Sequence, residues 1–300
     1  MIIFFAIILT LICIGYVKIK KYQQSEYYAV TKNSYKSVLR DKGKYGEYLI
    51  YKHLSSLQGD KKFLFNCYLP KENGKTTEID VILLHNSGIY VFESKNYSGW
   101  IFGTENQKTW TQTLPNGRTS RKEHFYNPIM QNIGHIKSLK SYIGENYSIY
   151  SVITFSDRCK LQKIQLTSGL HTVINRRDVL STVLHYAGRM GYCLSANEIQ
   201  TIYEKLYPFT QVNATIKQQH IDNILAEQHA ESYIKAESAP TVDVSIGANE
   251  NSTIGRCPKC GAVLVRKVAK KGERAGKAFY GCSNFPKCRY IKNIEDEINL

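Results

Sequence analysis

The chain has 300 residues, 40 Lys and Arg against 25 Asp and Glu, a formal charge of +15, and 43% hydrophobic side chains. That length and apolar content suit one or two folded domains, and they exclude a wholly disordered chain, a collagen-like repeat, a small disulfide scaffold and a polytopic membrane protein. The positive excess points to a polyanion, either nucleic acid or an anionic lipid surface.

Residues 1–17 contain no charged side chain. As a helix they cover about 25 Å, slightly less than a hydrocarbon core of about 30 Å. Lys18, Lys20 and Lys21 follow at once and can reach the headgroups. A cleaved signal peptide would need a basic leading region and a small-x-small cleavage site, and neither is present. Residues 1–17 are therefore expected to form a transmembrane anchor and 18–35 a basic juxtamembrane segment. The positive-inside rule keeps the later domains in the cytoplasm, as in a single-pass protein of a bacterial inner membrane.

Residues 32–57 read as a helix, and 63–113 as strands and turns rich in Ile, Val, Phe, Tyr and Thr. Asn127-Pro128 starts a second helix, whose Ile129, Ile133, Ile136, Leu139 and Ile143 keep the spacing of one buried face. Strands at Ile149–Phe155 and His171–Asn175 follow, then helices near 176–187 and 196–206, the latter opened by a Ser195/Glu198 capping box. This order predicts an α/β or α+β core, with 156–208 as an extension of it. Residues 209–254 form an acidic linker, of net charge −4 over 211–254, whose first half can be helical. Residues 255–293 are basic again.

Within that last stretch, Cys257-Pro-Lys-Cys260 and Cys282-Ser-Asn-Phe-Pro-Lys-Cys288 are two close pairs separated by 21 residues. Four thiolates in two knuckles suit one structural Zn2+, with no position left for a water. Two disulfides or free thiols are the alternatives, and disulfides are disfavoured in a cytoplasmic domain. The segment CPKCGAVLVRK…GKAFYGCSNFPKCRY resembles the C-terminal zinc ribbons of bacterial type IA topoisomerases, over about 35 residues. The resemblance implies binding of single-stranded DNA, with Lys259, Arg266, Lys267, Phe285, Lys287, Arg289 and Tyr290 as the contact residues. Aromatics among Lys and Arg offer stacking surfaces beside phosphate sites; for Phe279 and Tyr290 the core of the ribbon is an equal alternative. No topoisomerase catalytic domain fits in the chain.

The catalytic candidate is a hairpin. Thr77–Leu84 and Ile89–Asn96 are apolar strands joined by a polar turn. A two- or four-residue loop sets Asp80 opposite Glu93 on one sheet face, with Lys95 two residues on. Facing carboxylates repel unless a cation lies between them, and Mg2+ or Mn2+ takes such oxygen ligands together with substrate phosphate. Solvated charges on an outer face are the alternative, but Ile82, Leu84, Ile89 and Val91 share that face, which predicts partial burial. Glu47 shares a helix face with Ile50 and Leu54, with Gly43 and Gly46 close by. Gln131 lies in the first turn of the Asn127-Pro128 helix, off the apolar stripe.

Gly43-x-x-Gly46-Glu47, Glu78-Ile79-Asp80, Gly88–Asn96 (GIYVFESKN), Ser98-Gly99, Trp110 and Asn127-Pro128-x-x-Gln131 together resemble the NERD (nuclease-related) domain of the PD-(D/E)xK nuclease superfamily, over roughly residues 36–155. The resemblance implies a restriction-endonuclease-like αβββαβ core. It also implies Glu47 on the first helix, Asp80 and Glu93 as Mg2+ ligands, Lys95 as catalytic lysine and Gln131 as the later glutamine. Ile79 stands where the superfamily usually has Pro.

Cys67, Cys159 and Cys193 read as buried thiols, and His53, His85, His124 and His135 lack ligand spacing with one another. Trp100 and Trp110 are read as core or hairpin residues in preference to base-stacking platforms. The expectation is thus a membrane-anchored, divalent-metal-dependent nuclease that hydrolyses phosphodiester bonds in DNA, which its ribbon holds. The alternatives are an inactive DNA-binding tether at the membrane and a lipid-interaction protein.

Overall fold

A computed structural model describes residues 1–117, 119–237, 256–269, 277–285 and 287–293. They belong to two compact units, Met1–Glu237 and Ser238–Leu300.

The first unit is mixed α/β. It opens with α1 (Ile2–Gln23), α2 (Glu26–Thr31), α3 (Tyr35–Arg40) and α4 (Lys42–Leu54). Strands β1 (Lys61–Pro70), β2 (Thr76–His85), β3 (Gly88–Lys95), β4 (Gly99–Thr104), β5 (Thr109–Asn116) and β6 (Thr119–Tyr126) follow. Then come α5 (Pro128–Ile143), β7 (Ile149–Phe155), β8 (Cys159–Gln165), β9 (His171–Asn175), α6 (Val179–Met190), α7 (Ala196–Leu206) and α8 (Ala214–Glu237).

Helix α1 is long and apolar enough to cross a membrane, and its apolar side chains are exposed. It runs unbroken past residue 17, and its 22 residues span about 33 Å. Its far end enters the core: Tyr22 is buried against Tyr27, Tyr28, Tyr35 and Tyr48, and its hydroxyl donates to Asn33 O at 2.6 Å. The helix expected over 32–57 is two helices, because Asp41 turns to an extended backbone and its Oδ1 accepts from Gly43 N and Lys44 N, capping α4.

One sheet has the order β1-β2-β3-β7-β9, antiparallel through β3 and parallel thereafter. On one face, α4 and α6 cover Val81, Leu83, Tyr90 and Phe92. On the other, α5 and α7 cover Ile82, Leu84, Ile89 and Val91. The second sheet, β6-β5-β4-β8, packs Ile101 and Trp110 against Ile129 and Phe155. Strands β6 and β8 were not expected from the sequence; β6 is exposed along most of its length, so it lacks a buried stripe.

Helix α5 starts where expected, with Asn127 Oδ1 accepting from Ile129 N at 2.9 Å. Its buried face differs from the expected one. It runs through Ile129, Asn132, His135 and Leu139, whereas Ile133 is 48% exposed. Polar residues occupy the stripe because they have partners: Asn132 Nδ2 donates to Val91 O and Ser151 Oγ. Cys67 and Cys159 are buried, but Cys193 is exposed, in the segment joining α6 to α7. The Ser195/Glu198 capping box is present.

The first half of the acidic stretch is α8, and it rests on the core. His220 Nδ1 lies 2.9 Å from Thr76 Oγ1, its ring packs edge-on against Tyr68, and Lys75 pairs with Glu227 at 2.8 Å. Residues 238–254 lie outside the described residues.

The second unit carries β10 (Leu264–Val268), β11 (Ala278–Cys282) and β12 (Ile291–Asn293) in one antiparallel sheet. Its small core is Cys257, Leu264, Cys282 and Cys288, with Ala262, Tyr280 and Tyr290 packed against it.

Candidate active site and metal centre

The hairpin of β2 and β3 turns on Asn86-Ser87 and pairs Leu84 with Ile89 and Val81 with Phe92. Asp80 therefore stands opposite Glu93, one step past the last paired position. The β1–β2 ladder is interrupted at the same point. It passes from Phe65–Val81 to Cys67–Ile79, and Asn66 takes a left-handed φ of 49°. Side-chain alternation resets there, since Ile82 and Ile79 pack on the same face of the sheet. Strand β3 continues its pairing on its other side, with Glu93 opposite Ile153 and Lys95 opposite Phe155. Ser94 N is then available to Asp80, whose Oδ2 accepts from it at 2.7 Å.

Around this break the structure assembles four of the five expected residues. Lys95 Nζ donates to Glu93 Oε1 at 2.7 Å and to Gln131 Oε1 at 2.9 Å. Glu93 is 1% exposed. Its second oxygen meets a residue the sequence reading set aside: His135 Nε2 lies 3.0 Å from Glu93 Oε2, and His135 Nδ1 lies 2.7 Å from Thr77 Oγ1. The missed signal was spacing on α5. Gln131 and His135 are four apart and so share one helix face.

Glu47 is near but in a second pocket. It is 6% exposed and lines a cavity of about 300 Å³ with Asn66, Tyr68 and Glu78. Tyr27 OH lies 3.5 Å from its Oε2. Gly46, beside it, allows α4 to approach β3: a Cβ there would meet Ser94 Oγ at 2.8 Å and Arg176 Nη2 at 3.1 Å. The corresponding atom on Gly43 would meet only Asp41 and Glu47 side-chain oxygens.

The electrostatics follow from three neighbouring carboxyls, of which Glu93 and Glu47 are buried and Asp80 is half-buried at the cavity wall. Burial, Glu93 and Glu47 push the Asp80 carboxyl well above its ordinary value. Burial also pushes Glu93 up, but Lys95 and the His135 hydrogen bond outweigh it and hold Glu93 below. Burial works against the Lys95 charge, yet Glu93 and Asp80 hold its pKa above the usual lysine value. Burial pushes Glu47 up to about 8. Among the described residues no cation forms an ion pair with Asp80, which shares the Lys95 charge with Glu93, so the donor set suits a hard divalent cation bound by two carboxylates, waters and a phosphate oxygen. A cavity of about 590 Å³ opens beside it, lined by Asp80, Gln131 and His135, with Lys71, Lys75 and Lys108 among its walls.

In the second unit, Cys257, Cys260, Cys282 and Cys288 bring their sulfurs within 4.8 Å of one another. Among the described residues this is the only such cluster of three or more ligand side chains. Two sulfur pairs are 3.7 and 3.4 Å apart, against about 3.8 Å for a tetrahedron with Zn–S bonds of about 2.3 Å. Four thiols at that spacing fit one structural Zn2+. The knuckles are built by Gly261 N donating to Cys257 O, with Gly261 at φ 72°, and by Asn284 N donating to Cys282 Sγ. Phe285 is 62% exposed, with Lys267 Nζ 5.7 Å from its ring centre. Lys259, Arg266, Lys287 and Arg289 are exposed as well, whereas Tyr290 packs against the cysteine core.

Residues 42–156 match the family model described as nuclease-related domain (NERD), and residues 254–297 match the topoisomerase DNA binding C4 zinc finger. An uncharacterized protein of Bacillus anthracis is 32% identical over 187 residues, which are 62% of this chain and 85% of that protein. DNA topoisomerase 1 of Helicobacter pylori is 50% identical over 40 residues, and that of Methanocaldococcus jannaschii 55% over 38. These two alignments cover 13% of this chain and only 5% and 4% of the topoisomerases, so the likeness is confined to the ribbon. No solved structure matches.

Proposed function

Because the chain belongs to the nuclease-related domain family and ends in a topoisomerase-type C4 zinc ribbon, we propose that it is a membrane-anchored, divalent-metal-dependent nuclease acting on DNA. The observation that carries the reading is Lys95, held between Glu93 and Gln131 beside Asp80, which opens on a cavity lined by Lys71, Lys75 and Lys108 as well as Glu78 and Glu227. The order α4, β1, β2, β3, α5, β7 supports the αβββαβ core of that nuclease class.

Asp80 and Glu93 would hold Mg2+ or Mn2+, with Glu47, which keeps its proton up to about pH 8 in the metal-free chain, in the neighbouring pocket. The ion, when bound, polarises a phosphate oxygen and acidifies a bound water. Lys95 donates to the attacking water or to the phosphate oxygens as negative charge grows there. Gln131 fixes the Lys95 ammonium, and His135 fixes the far oxygen of Glu93. The water oxygen would bond to phosphorus as one of its protons passes to solvent, the ester P–O bond would break, and the departing oxygen would take a proton from solvent. In the ribbon, Lys259, Arg266, Lys267, Lys287 and Arg289 would meet phosphates, while the exposed ring of Phe285 would offer a stacking surface and Tyr290 packs against the cysteine core. Residues from α1 would span the bilayer, and Lys18, Lys20 and Lys21 would lie at its cytoplasmic face.

The test is the full chain in detergent, incubated with labelled single- and double-stranded DNA and RNA in Mg2+, Mn2+ or EDTA. Metal-dependent DNA cleavage is expected. Binding without cleavage in every condition would favour an inactive tether. Fractionation of cells expressing the chain tests the anchor: it should leave the membrane fraction when residues 1–17 are deleted.

A further inference from the structure

The second sheet has a covered face and an open one. The covered face carries Ile101, Trp110 and Phe125. The open face can be read from strand register. One row across it is Lys160, Trp100, Thr113 (buried between its neighbours) and Lys122; the next is Lys163, Phe102, Thr111 and His124. A bulge in β8, between the partners of Ile101 and Phe102, keeps both lysines on this side. Thr111 Oγ1 lies 3.1 Å from His124 Nδ1, as the shared face requires.

Trp100 is 41% exposed, in contrast to the fully buried Trp110. Lys122, Lys160, Lys163 and His124 are exposed around it. Strands β4, β5 and β8 contain no carboxylate, and the one on β6, Glu123, alternates to the other face, where it pairs with Arg121. The charged side chains on this face, Lys122, Lys160 and Lys163, are therefore all positive. It also leads somewhere. Tyr126, in line with Lys122 and His124 on β6, is exposed and lines the 590 Å³ cavity that contains Asp80 and Gln131.

We infer that this open face is a docking platform for a single strand of nucleic acid, delivering it past Tyr126 to the carboxylate cavity. Trp100 and Phe102 are two residues apart on β4, so about 6.8 Å separates their attachment points, enough for successive bases of an extended strand to stack one on each. Stacking on the exposed Trp100 ring and the half-buried Phe102 ring needs unpaired bases, which a duplex does not present. Lysines on both sides of the aromatic column meet the phosphates. The inference rests on the reading of the chain as a nucleic-acid enzyme, but its test does not use cleavage.

The chain has only two tryptophans, so selective tryptophan excitation with oligo-dT reports on this face. In EDTA, with the full chain in detergent, oligo-dT should quench the emission saturably and duplex of the same length far less. The quenching should vanish in Trp100→Ala. Lys160→Ala/Lys163→Ala should raise its midpoint several-fold and reduce the salt dependence of log K by about 1.4. Binding by anisotropy with unchanged tryptophan emission, or quenching that survives Trp100→Ala, would overturn the platform. Quenching without metal-dependent cleavage would leave the platform standing and remove the nuclease reading; cleavage without quenching would do the reverse.

Discussion

His135 holds Glu93 from the side opposite Lys95: its Nε2 lies 3.0 Å from Glu93 Oε2, while Lys95 Nζ takes Oε1 at 2.7 Å. Both oxygens of a nearly inaccessible carboxylate are thereby fixed, and Thr77 fixes the imidazole in turn. His135→Ala should release one oxygen and raise the half-saturating Mg2+ concentration for cleavage by about 10- to 100-fold. An Mg2+ titration of the initial rate checks this. An unchanged half-saturation would make the histidine a packing residue.

Glu47 gives a dependence on pH whose sign is set by its burial. Its carboxyl titrates near 8 in the folded chain, against 4.5 ordinarily. Below about pH 4.5 it is protonated in both states and has no effect. Between there and about 8 the unfolded chain ionises while the folded one keeps its proton, so stability falls as pH rises, by up to about 1.4 kcal/mol per unit. In EDTA, Glu47→Gln should flatten that slope in urea unfolding measured from pH 5 to 8. Equal slopes in the two proteins would contradict the buried-acid account.

Gly46 is a spacer between α4 and β3. A methyl group there meets Ser94 Oγ and the buried Arg176 guanidinium, so Gly46→Ala should cost about 1–3 kcal/mol. Gly188→Ala, on α6 with no atom within 4 Å of the new carbon, should instead stabilise by about 0.5–1 kcal/mol. Urea midpoints of the two variants should move in opposite directions.

The ribbon prediction concerns metal content. Protein purified without chelator should carry about one zinc per chain, and Cys282→Ala should lose it together with most of the ribbon's DNA affinity. The urea transition of the first unit should stay where it was. Full DNA affinity in zinc-free protein would contradict the account.

Much of the site could be read from the sequence because strands alternate and hairpins have fixed registers. Once the turn at Asn86-Ser87 is read, Asp80 must face Glu93, and the aliphatic neighbours require burial. Helical spacing was less reliable. On α5 it favoured Ile133, because hydrophobicity marks a core face only when no polar residue has a buried partner; Asn132 and His135 do. The ladder break at Asn66 and Asp80 left no local signal, since it depends on where β2 and β3 diverge. Helix α8 was legible as a possible helix, but its described contacts with the core are polar and aromatic ones (His220 on Thr76 and Tyr68, Lys217 on Tyr68, Glu227 on Lys75), which leave no apolar stripe to read. The open sheet face was hidden for a related reason: β6 has no buried positions to mark it as a strand, and the exposure of Trp100 follows only from register.

The role assigned to Asp80 and Lys95 is phosphodiester hydrolysis. Its most direct test is the initial cleavage rate of labelled DNA in Mg2+ by the full chain, beside Asp80→Ala and Lys95→Ala, with folding of each variant checked by urea unfolding. The account predicts metal-dependent cleavage by the unaltered chain and a fall of at least about 100-fold in each folded variant. Cleavage that persists undiminished in both would contradict it.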